Sequence, residues 1–198
     1  EASDALGFDL WKLTQEDQEG LNQTQNTQPA MLAAGYAIYR VLSSETELSP
    51  ICMAGHSLGE YTALVASGSL GFSDGIKLVR MRAELMQSAV PAGMGAMAAI
   101  LGLEDELVVK VCADYSGEGI VQAVNFNSNG QVVIAGNKPA VDATCEAMKA
   151  AGAKRAMILP VSVPSHCSLM DGAAEKFKIA VDALHFKMGN IDVLHNVD

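Results

Sequence analysis

The pentapeptide Gly-His-Ser-Leu-Gly at positions 55–59 is the stretch of this sequence best suited to covalent chemistry. An apolar run, 51–54, precedes it, and a run typical of a helix, 60–66, follows it. A strand, a sharp turn and a helix in this order form a nucleophile elbow, in which a Cβ at either glycine is expected to collide. The pattern predicts that Ser57 is a nucleophile and that the Leu58 amide helps to hold an oxyanion. A chance match is the alternative for so short a motif.

A serine nucleophile needs a base that accepts its proton, and the sequence has four histidines. His166 follows an apolar run predicted as a strand, 157–163, and the carboxyl ends of parallel strands collect catalytic groups. His166 is therefore the candidate base, and a loop histidine without a catalytic task is the alternative. His56 is adjacent to the serine and is interpreted as a wall of the substrate pocket. Packing or surface positions are expected for the remaining two, His185 and His195.

Arg82 lies on a predicted helix, from Asp74 to about Ala89, where its neighbours three and four residues away are apolar. These neighbours are Leu78, Val79, Leu85 and Met86. Burying a guanidinium among aliphatic side chains is costly unless an anion meets it. An internal salt bridge and a bidentate grip on a substrate carboxylate both satisfy this requirement. Arg80, in contrast, is expected on the solvent-exposed face of the helix.

Composition restricts the classes of function that this chain can have. Its 198 residues are 49% hydrophobic and 18% charged, as in a globular protein with a sizeable core. A net charge of −10 argues against nucleic-acid binding, and no apolar run is long enough to span a bilayer. None of the four cysteines lies in a zinc-binding spacing. We therefore expect free thiols, no metal and a cytoplasmic location.

The first third of the chain is predicted to be mainly helical. One helix is expected from Ser3 to Leu13, and another from Gln28 to about Leu42. Thr27 is the expected N-cap of the second helix, with Pro29 in its first turn.

The middle of the chain has the periodicity of alternating strands and helices. The predicted elements are a strand at 94–101, a helix at 104–116, strands at 120–126 and 131–135, a helix at 139–151 and a strand at 156–163. This β-α-β-β-α-β order is typical of a ferredoxin-like subdomain. The predicted fold is α/β: an α/β-hydrolase-like core, 1–92 and 164–198, with a ferredoxin-like insert at 93–163.

Several motifs together resemble the malonyl-CoA:acyl-carrier-protein transacylases of fatty-acid synthesis, over nearly the whole chain. The motifs that carry the resemblance are Thr27-Gln28-Pro29-Ala30, Gly55-His56-Ser57-Leu58-Gly59-Glu60-Tyr61, Met81-Arg82, Gly95-Ala96-Met97-Ala98-Ala99-Ile100, Val124-Asn125-Phe126-Asn127-Ser128, Gln131-Val132-Val133-Ile134-Ala135-Gly136 and Pro160-Val161-Ser162-Val163-Pro164-Ser165-His166-Cys167. The combination is far more specific than the elbow alone. The resemblance also implies an α/β-hydrolase-like core with a ferredoxin-like insert.

The resemblance implies that Ser57 is acylated, that His166 is its base and that Arg82 binds the malonyl carboxylate. Leu58, His56 and Met86 complete the expected substrate-binding set. The implied partners are malonyl-CoA, as substrate, and acyl-carrier protein, with no cofactor, metal, membrane or nucleic acid.

The chain departs from the family pattern at both ends. The family begins with a Gly-Gln-Gly-Ser-Gln loop that supplies an oxyanion amide, and it continues past position 198 with an acceptor for the base histidine. Neither stretch lies within this sequence. We therefore expect a fragment that is weak or inert by itself.

Two other functions remain open for these residues. A serine esterase or thioesterase uses the same core, although an ester of a neutral acid does not need Arg82. A carrier-docking fragment without turnover is the second alternative.

Overall fold

The computed structural model describes residues 1–161 and 163–197 of a mixed α/β protein. Ser162, which belongs to the predicted strand 156–163, and Asp198 lie outside the described residues. The chain divides into two compact units, Glu1–Glu84 with Lys176–Asp198 and Leu85–Glu175. The predicted domain boundaries stay a prediction. No helix in the described ranges combines the length and the apolar character that crossing a membrane requires.

The first unit contains most of the helices and a small parallel sheet. Its elements are α1 (Ala2–Leu6), α2 (Leu10–Glu16), α3 (Gln18–Leu21), α4 (Thr24–Glu45), β1 (Cys52–Ala54), α5 (Leu58–Ala66) and β6 (Asp192–Leu194). The division between the units falls within α6 (Phe72–Ala89) and α9 (Asp171–Asp182). Strands β1 and β6 are parallel, with Met53 opposite Val193. The segments that follow these two strands therefore emerge at the same edge of the sheet.

The helix predicted from Ser3 to Leu13 is divided in two. Gly7 ends α1 in a left-handed conformation, with φ 76°. The Asp9 side chain then caps α2 by accepting a hydrogen bond from the Lys12 amide at 2.9 Å. Because Gly7 ends the helix in a left-handed C-cap, the apolar periodicity from Ser3 to Leu13 is divided between two helices instead of forming one.

The start predicted for α4 is wrong, because Pro29 lies inside the helix rather than in its first turn. Thr27 is not the N-cap; it is helical, and its hydroxyl donates to backbone carbonyls. A proline inside a helix leaves the carbonyl four residues earlier without its amide donor. Here that carbonyl belongs to Gln25, and Arg80 Nη1 donates to it at 3.1 Å. A side-chain donor thus replaces the missing backbone bond.

Arg80 is also not on the solvent-exposed face, contrary to the sequence expectation. Its Nη1 donates to Asn26 Oδ1 at 2.6 Å, and its guanidinium lies 5.7 Å from the centre of the Phe8 ring. Asn26 is itself buried and donates from its amide to the Gly20 carbonyl at 2.8 Å. Arg80 therefore joins α6 to α4 and to the N-terminal helices through polar contacts.

The apolar core of the first unit lies among its helices rather than on its sheet. The buried residues of this core are Leu32, Val65, Leu70, Ile76, Leu78 and Val79. The run that leads into β1 is apolar, yet Ile51 is 93% exposed and Cys52 and Ala54 are also exposed.

The second unit is a four-stranded antiparallel sheet with two helices. Its elements are β2 (Gly95–Leu101), α7 (Asp105–Ala113), β3 (Val121–Ser128), β4 (Gln131–Asn137), α8 (Lys138–Ala150) and β5 (Arg155–Ile158). The strand order is β3-β4-β2-β5, and Ala98 of β2 lies opposite both Ile134 and Ile158. The sequence of strands and helices is the one predicted. The last strand is shorter than predicted, since β5 ends at Ile158.

One hydrophobic cluster fills the second unit between the sheet and its helices. The most deeply buried members are Ala98, Ile100, Val108, Val132, Ile134, Ala140, Val141 and Met148. Both β2 and β4 are largely apolar, and alternate residues of the two strands belong to this cluster together with apolar residues of α7 and α8.

Candidate active site

Ser57 occupies a strained turn between β1 and α5. Its φ is 50° and its ψ is −104°, a conformation that costs a non-glycine residue about 1–3 kcal/mol. A Cβ added at Gly55 would lie 1.9 Å from the backbone carbon of Gly59, so only glycine fits at position 55. The collision expected at Gly59 itself is wrong, because no atom lies within 4 Å of a Cβ built there.

Asn196, which follows β6, bridges the turn on both sides of Ser57. Its Oδ1 accepts a hydrogen bond from the Ser57 amide at 2.6 Å. Its Nδ2 donates to the Gly55 carbonyl at 2.6 Å. These contacts join residues about 140 positions apart, and the sequence analysis missed them. The available signal was that segments following two parallel strands meet at one edge of a sheet.

Glu60, in the first turn of α5, contacts the same segment after β6. Its Oε2 accepts a hydrogen bond from the Asn196 amide at 3.1 Å, and its Oε1 lies 2.6 Å from Nδ1 of His195. His195 is exposed, which is one of the two kinds of position, packing or surface, that the sequence analysis expects for it. Glu60 therefore holds the backbone that carries Asn196.

Arg82 and Ser57 come together within the first unit. Arg82 Nη2 donates to Ser57 Oγ at 2.9 Å, and Nη1 donates to Gln28 Oε1 at 2.7 Å. Gln28 is buried and its Nε2 donates to the Thr24 hydroxyl at 3.1 Å. Within residues 1–161 and 163–197, no carboxylate oxygen lies within 4.0 Å of the guanidinium, so the internal salt bridge considered from the sequence is not observed there.

The Arg82 guanidinium also packs on an aromatic ring. Its central carbon lies 5.5 Å from the centre of the Tyr61 ring, which in turn makes an edge contact with Phe177. Burial lowers the pKa of Arg82, and the adjacent Tyr61 partly opposes this change. Burial likewise raises the pKa of Tyr61. The site thus keeps a partly desolvated cation beside the hydroxyl, where an anion is attracted more strongly than in water.

His56 and Leu58 both line a cavity of about 630 Å³ in the first unit. Other walls come from Met31 and Tyr39 of α4 and from Met53 of β1. Leu58 is the first residue of α5, where helix geometry leaves the backbone N–H without an intrahelical acceptor. The substrate-binding roles of these two residues stay predictions.

His166 and Met86 belong to the second unit. His166 is exposed and has a φ of 68°, just before the 3-10 turn Ser168–Met170. Met86 is buried beside Val90 and Met170. The argument that placed His166 after a parallel strand is wrong in one respect, because β5 pairs antiparallel with β2. The roles of His166 and Met86 stay predictions.

Cys167 follows the candidate base, and its surroundings do not activate the thiol. The side chain is buried, and its sulfur donates to the Pro164 carbonyl at 3.1 Å. Burial raises the pKa of the Cys167 thiol, so the thiolate nucleophile is disfavoured. In the described ranges, His, Cys, Asp and Glu side chains form no group of three or more that could hold a metal ion.

A family model agrees with the class of chemistry that this site indicates. The model described as "Acyl transferase domain" matches residues 2–193. The chain belongs to the acyl transferase domain family.

Relatives of known name are similar to the whole of this chain. The malonyl CoA-acyl carrier protein transacylase of Escherichia coli strain K12 is 54% identical over 199 residues, which cover 100% of this chain and 64% of the relative. The protein of the same name from Bacillus subtilis is 46% identical over 199 residues, which cover 100% of this chain and 62% of that relative. The chain therefore spans less than two thirds of the length of these relatives.

Solved structures are similar in fold as well. The malonyl CoA-acyl carrier protein transacylase of Coxiella burnetii matches with a TM-score of 0.97 and 46% identity, over 100% of this chain and 63% of that one. A malonyl-transacylase solved in complex with a type II PKS acyl-carrier protein matches with a TM-score of 0.96 and 52% identity. The match covers 100% of this chain and 64% of that one.

Proposed function

We propose that the protein carrying this sequence transfers a malonyl group from malonyl-CoA to the pantetheine thiol of acyl-carrier protein, in fatty-acid synthesis. The contact that carries the proposal is the hydrogen bond from Arg82 Nη2 to Ser57 Oγ, 2.9 Å long. It places a cation that can bind the free carboxylate of malonate directly beside a hydroxyl that can attack the thioester. The relatives named as malonyl transacylases support the choice of acyl group.

The first half of the reaction forms an ester on Ser57. His166 accepts the hydroxyl proton while Ser57 Oγ attacks the thioester carbonyl, and the Leu58 amide donates to the oxyanion. The carbon–sulfur bond then breaks, and CoA leaves as a thiol with the proton from His166. Arg82 exchanges its hydroxyl partner for the malonyl carboxylate and so orients the acyl group.

The second half reverses these steps with a different thiol. His166 accepts the proton of the pantetheine thiol, whose sulfur attacks the Ser57 ester. The ester carbon–oxygen bond breaks, and Ser57 recovers its proton from His166. Because one product leaves before the second substrate reacts, ping-pong kinetics are expected.

Met86 and His56 are proposed to line the malonyl-binding pocket. The cavity beside His56 supports its assignment. For Met86, the support is its burial in a small apolar cluster, which gives its side chain a fixed position.

The same proposal extends to the finer description of the fold. We propose an α/β-hydrolase-like core at 1–92 and 164–198 and a ferredoxin-like insert at 93–163. The parallel β1–β6 pair with its elbow supports the first assignment. The antiparallel order β3-β4-β2-β5, with α7 and α8 between its strands, supports the second. Four free cysteines support a reducing, cytoplasmic location.

Covalent labelling tests the proposal. After incubation with malonyl-CoA, intact-protein mass analysis should show one malonyl adduct that maps to Ser57. Ser57→Ala should abolish the adduct, and His166→Ala should slow its formation by about 10²–10⁴-fold. Ser88→Ala, at an exposed serine on α6, is the matched control and should label normally.

The fate of the acyl group separates transfer from hydrolysis. Added holo acyl-carrier protein should remove the adduct faster than water does and should become malonylated. Release mainly to water would favour a thioesterase, and an adduct that never turns over would favour a docking fragment.

A further inference from the structure

We propose that Asn196 is a positioning residue for Ser57, which sets the angle of the elbow by bonding to its backbone on both sides. The inference rests on the proposed acyl transfer. It goes beyond that proposal by assigning a role to a residue whose side-chain hydrogen bonds go to the backbone of the turn and not to the Ser57 hydroxyl. Asn196 is the only side chain in the described ranges with a hydrogen bond to the Ser57 amide.

The Asn196 amide fits the turn in one orientation. Its oxygen faces an N–H, that of Ser57, and its NH₂ faces a carbonyl, that of Gly55, each at 2.6 Å. A flipped amide would place donor against donor and acceptor against acceptor. The side chain thus fixes the separation between the carbonyl before and the amide within the turn.

This bridge spans a turn whose backbone is strained at Ser57. Ser57 has the positive φ of 50°, and such conformations persist only where the surroundings impose them. The two Asn196 bonds act directly on the peptide groups of the Gly55–Ser57 turn, and Glu60 holds the Asn196 backbone in place at 3.1 Å. The Ser57 N–H is consequently occupied, which leaves the Leu58 N–H to donate to the oxyanion.

Single-turnover acylation by malonyl-CoA tests this role in the protein that carries this sequence. Asn196→Ala removes both bonds and should slow formation of the Ser57 ester by about 10–10²-fold. The malonyl-CoA concentration that gives half the maximal single-turnover rate should change less than about threefold. The matched control is Asn190→Ala, in the same segment, because Asn190 is exposed and bonds to Ser67 through its backbone amide alone. The control should acylate at the unaltered rate.

Asn196→Asp gives a readout that a merely structural role would not move. The aspartate can still accept from the Ser57 amide, but its second oxygen repels the Gly55 carbonyl. Once protonated, it can donate to that carbonyl and restore both bonds. Because the ordinary pKa of an aspartate is about 3.9, the rate of Asn196→Asp relative to the unaltered protein should rise as the pH falls from about 6 to about 4, whereas the ratio for Asn190→Asp should not change.

Equal acylation rates for Asn196→Ala and Asn190→Ala would overturn the inference, as would a pH-independent ratio for Asn196→Asp. Both results presuppose that the unaltered protein forms an ester on Ser57. Absence of that ester would instead contradict the proposed function, so the two failures are distinguishable. If Asn196→Ala fails to fold, the pH profile of Asn196→Asp still decides the question.

Discussion

Different interactions stabilise the sheets of the two compact units. In the second unit, β2 and β4 are buried against α7 and α8 by a continuous apolar cluster. In the first unit, β1 and β6 have three residues each, of which only the central one is half-buried. The turn that follows β1 is held by Asn196, Glu60 and Arg82. Apolar burial thus stabilises one sheet, whereas directional polar bonds fix the other at the edge where the proposed site lies.

This difference follows from what each kind of interaction can specify. Apolar burial contributes much free energy but little direction, while a hydrogen bond contributes a modest net free energy and fixes atoms to within a few tenths of an ångström. A nucleophile needs its hydroxyl and its neighbouring cation in defined positions. Polar bonds are therefore concentrated where chemistry is proposed, and the largest stability effects are expected away from it.

The largest effect on stability should come from the apolar core of the second unit. Ile134 is fully buried between β2 and β3, so Ile134→Ala should lower the free energy of unfolding by about 2–5 kcal/mol. Phe126→Ala, at a position 54% exposed on β3, should cost less than about 1 kcal/mol. Denaturant titration measures both, and equal costs would contradict the assignment of the second unit's stability to its buried apolar cluster.

A smaller effect is expected at Arg80, whose contacts are polar. Arg80→Met leaves the Gln25 carbonyl without a donor and should cost about 1–3 kcal/mol. Lys77→Met, one turn earlier on the exposed face of α6, is the control and should change stability by less than about 0.5 kcal/mol. If Arg80→Met is as stable as the control, Pro29 does not need its side-chain donor.

The smallest effect concerns the pH dependence of the second unit. Burial raises the pKa of Cys112 from 9.0 to about 11, so the folded state keeps a proton that the unfolded state loses. Stability contributed by this thiol is present below pH 9 and should fall as the pH rises toward about 11. Cys112→Ala should flatten the fall in thermal midpoint over that range, compared with Cys52→Ala at an exposed position. Parallel pH curves for both variants would contradict the assignment.

Local sequence signals predicted the elbow and the elements of the second unit. Gly55 and the apolar run before it placed Ser57 between a strand and a helix, and β1 and α5 lie there. Turn residues and periodicity also gave the order of elements from β2 to β5. These features depend on neighbours within a few residues, which a single sequence displays directly.

The remaining features depend on contacts that are remote in sequence. Pro29 indicated a helix start, but a donor from Arg80, more than fifty residues away, allows it inside α4. Asn196 was missed because nothing in its own segment points to the Ser57 amide. The local sequence also does not reveal that β5 pairs antiparallel with β2. The expectation that His166 follows a parallel strand is wrong for this reason. Local patterns do not encode which distant partner will satisfy a polar group.

The most direct measurement compares Arg82→Ala with the unaltered protein in the acylation of Ser57 by malonyl-CoA and by acetyl-CoA. Loss of a charge-assisted bond to the malonyl carboxylate should lower the malonyl rate by about 10–10²-fold, because such bonds contribute about 1.5–3 kcal/mol. The acetyl rate should fall much less, since acetyl has no carboxylate, and the preference should shift toward acetyl. Equal losses for the two acyl groups would contradict the proposal that the guanidinium beside Ser57 binds the malonyl carboxylate.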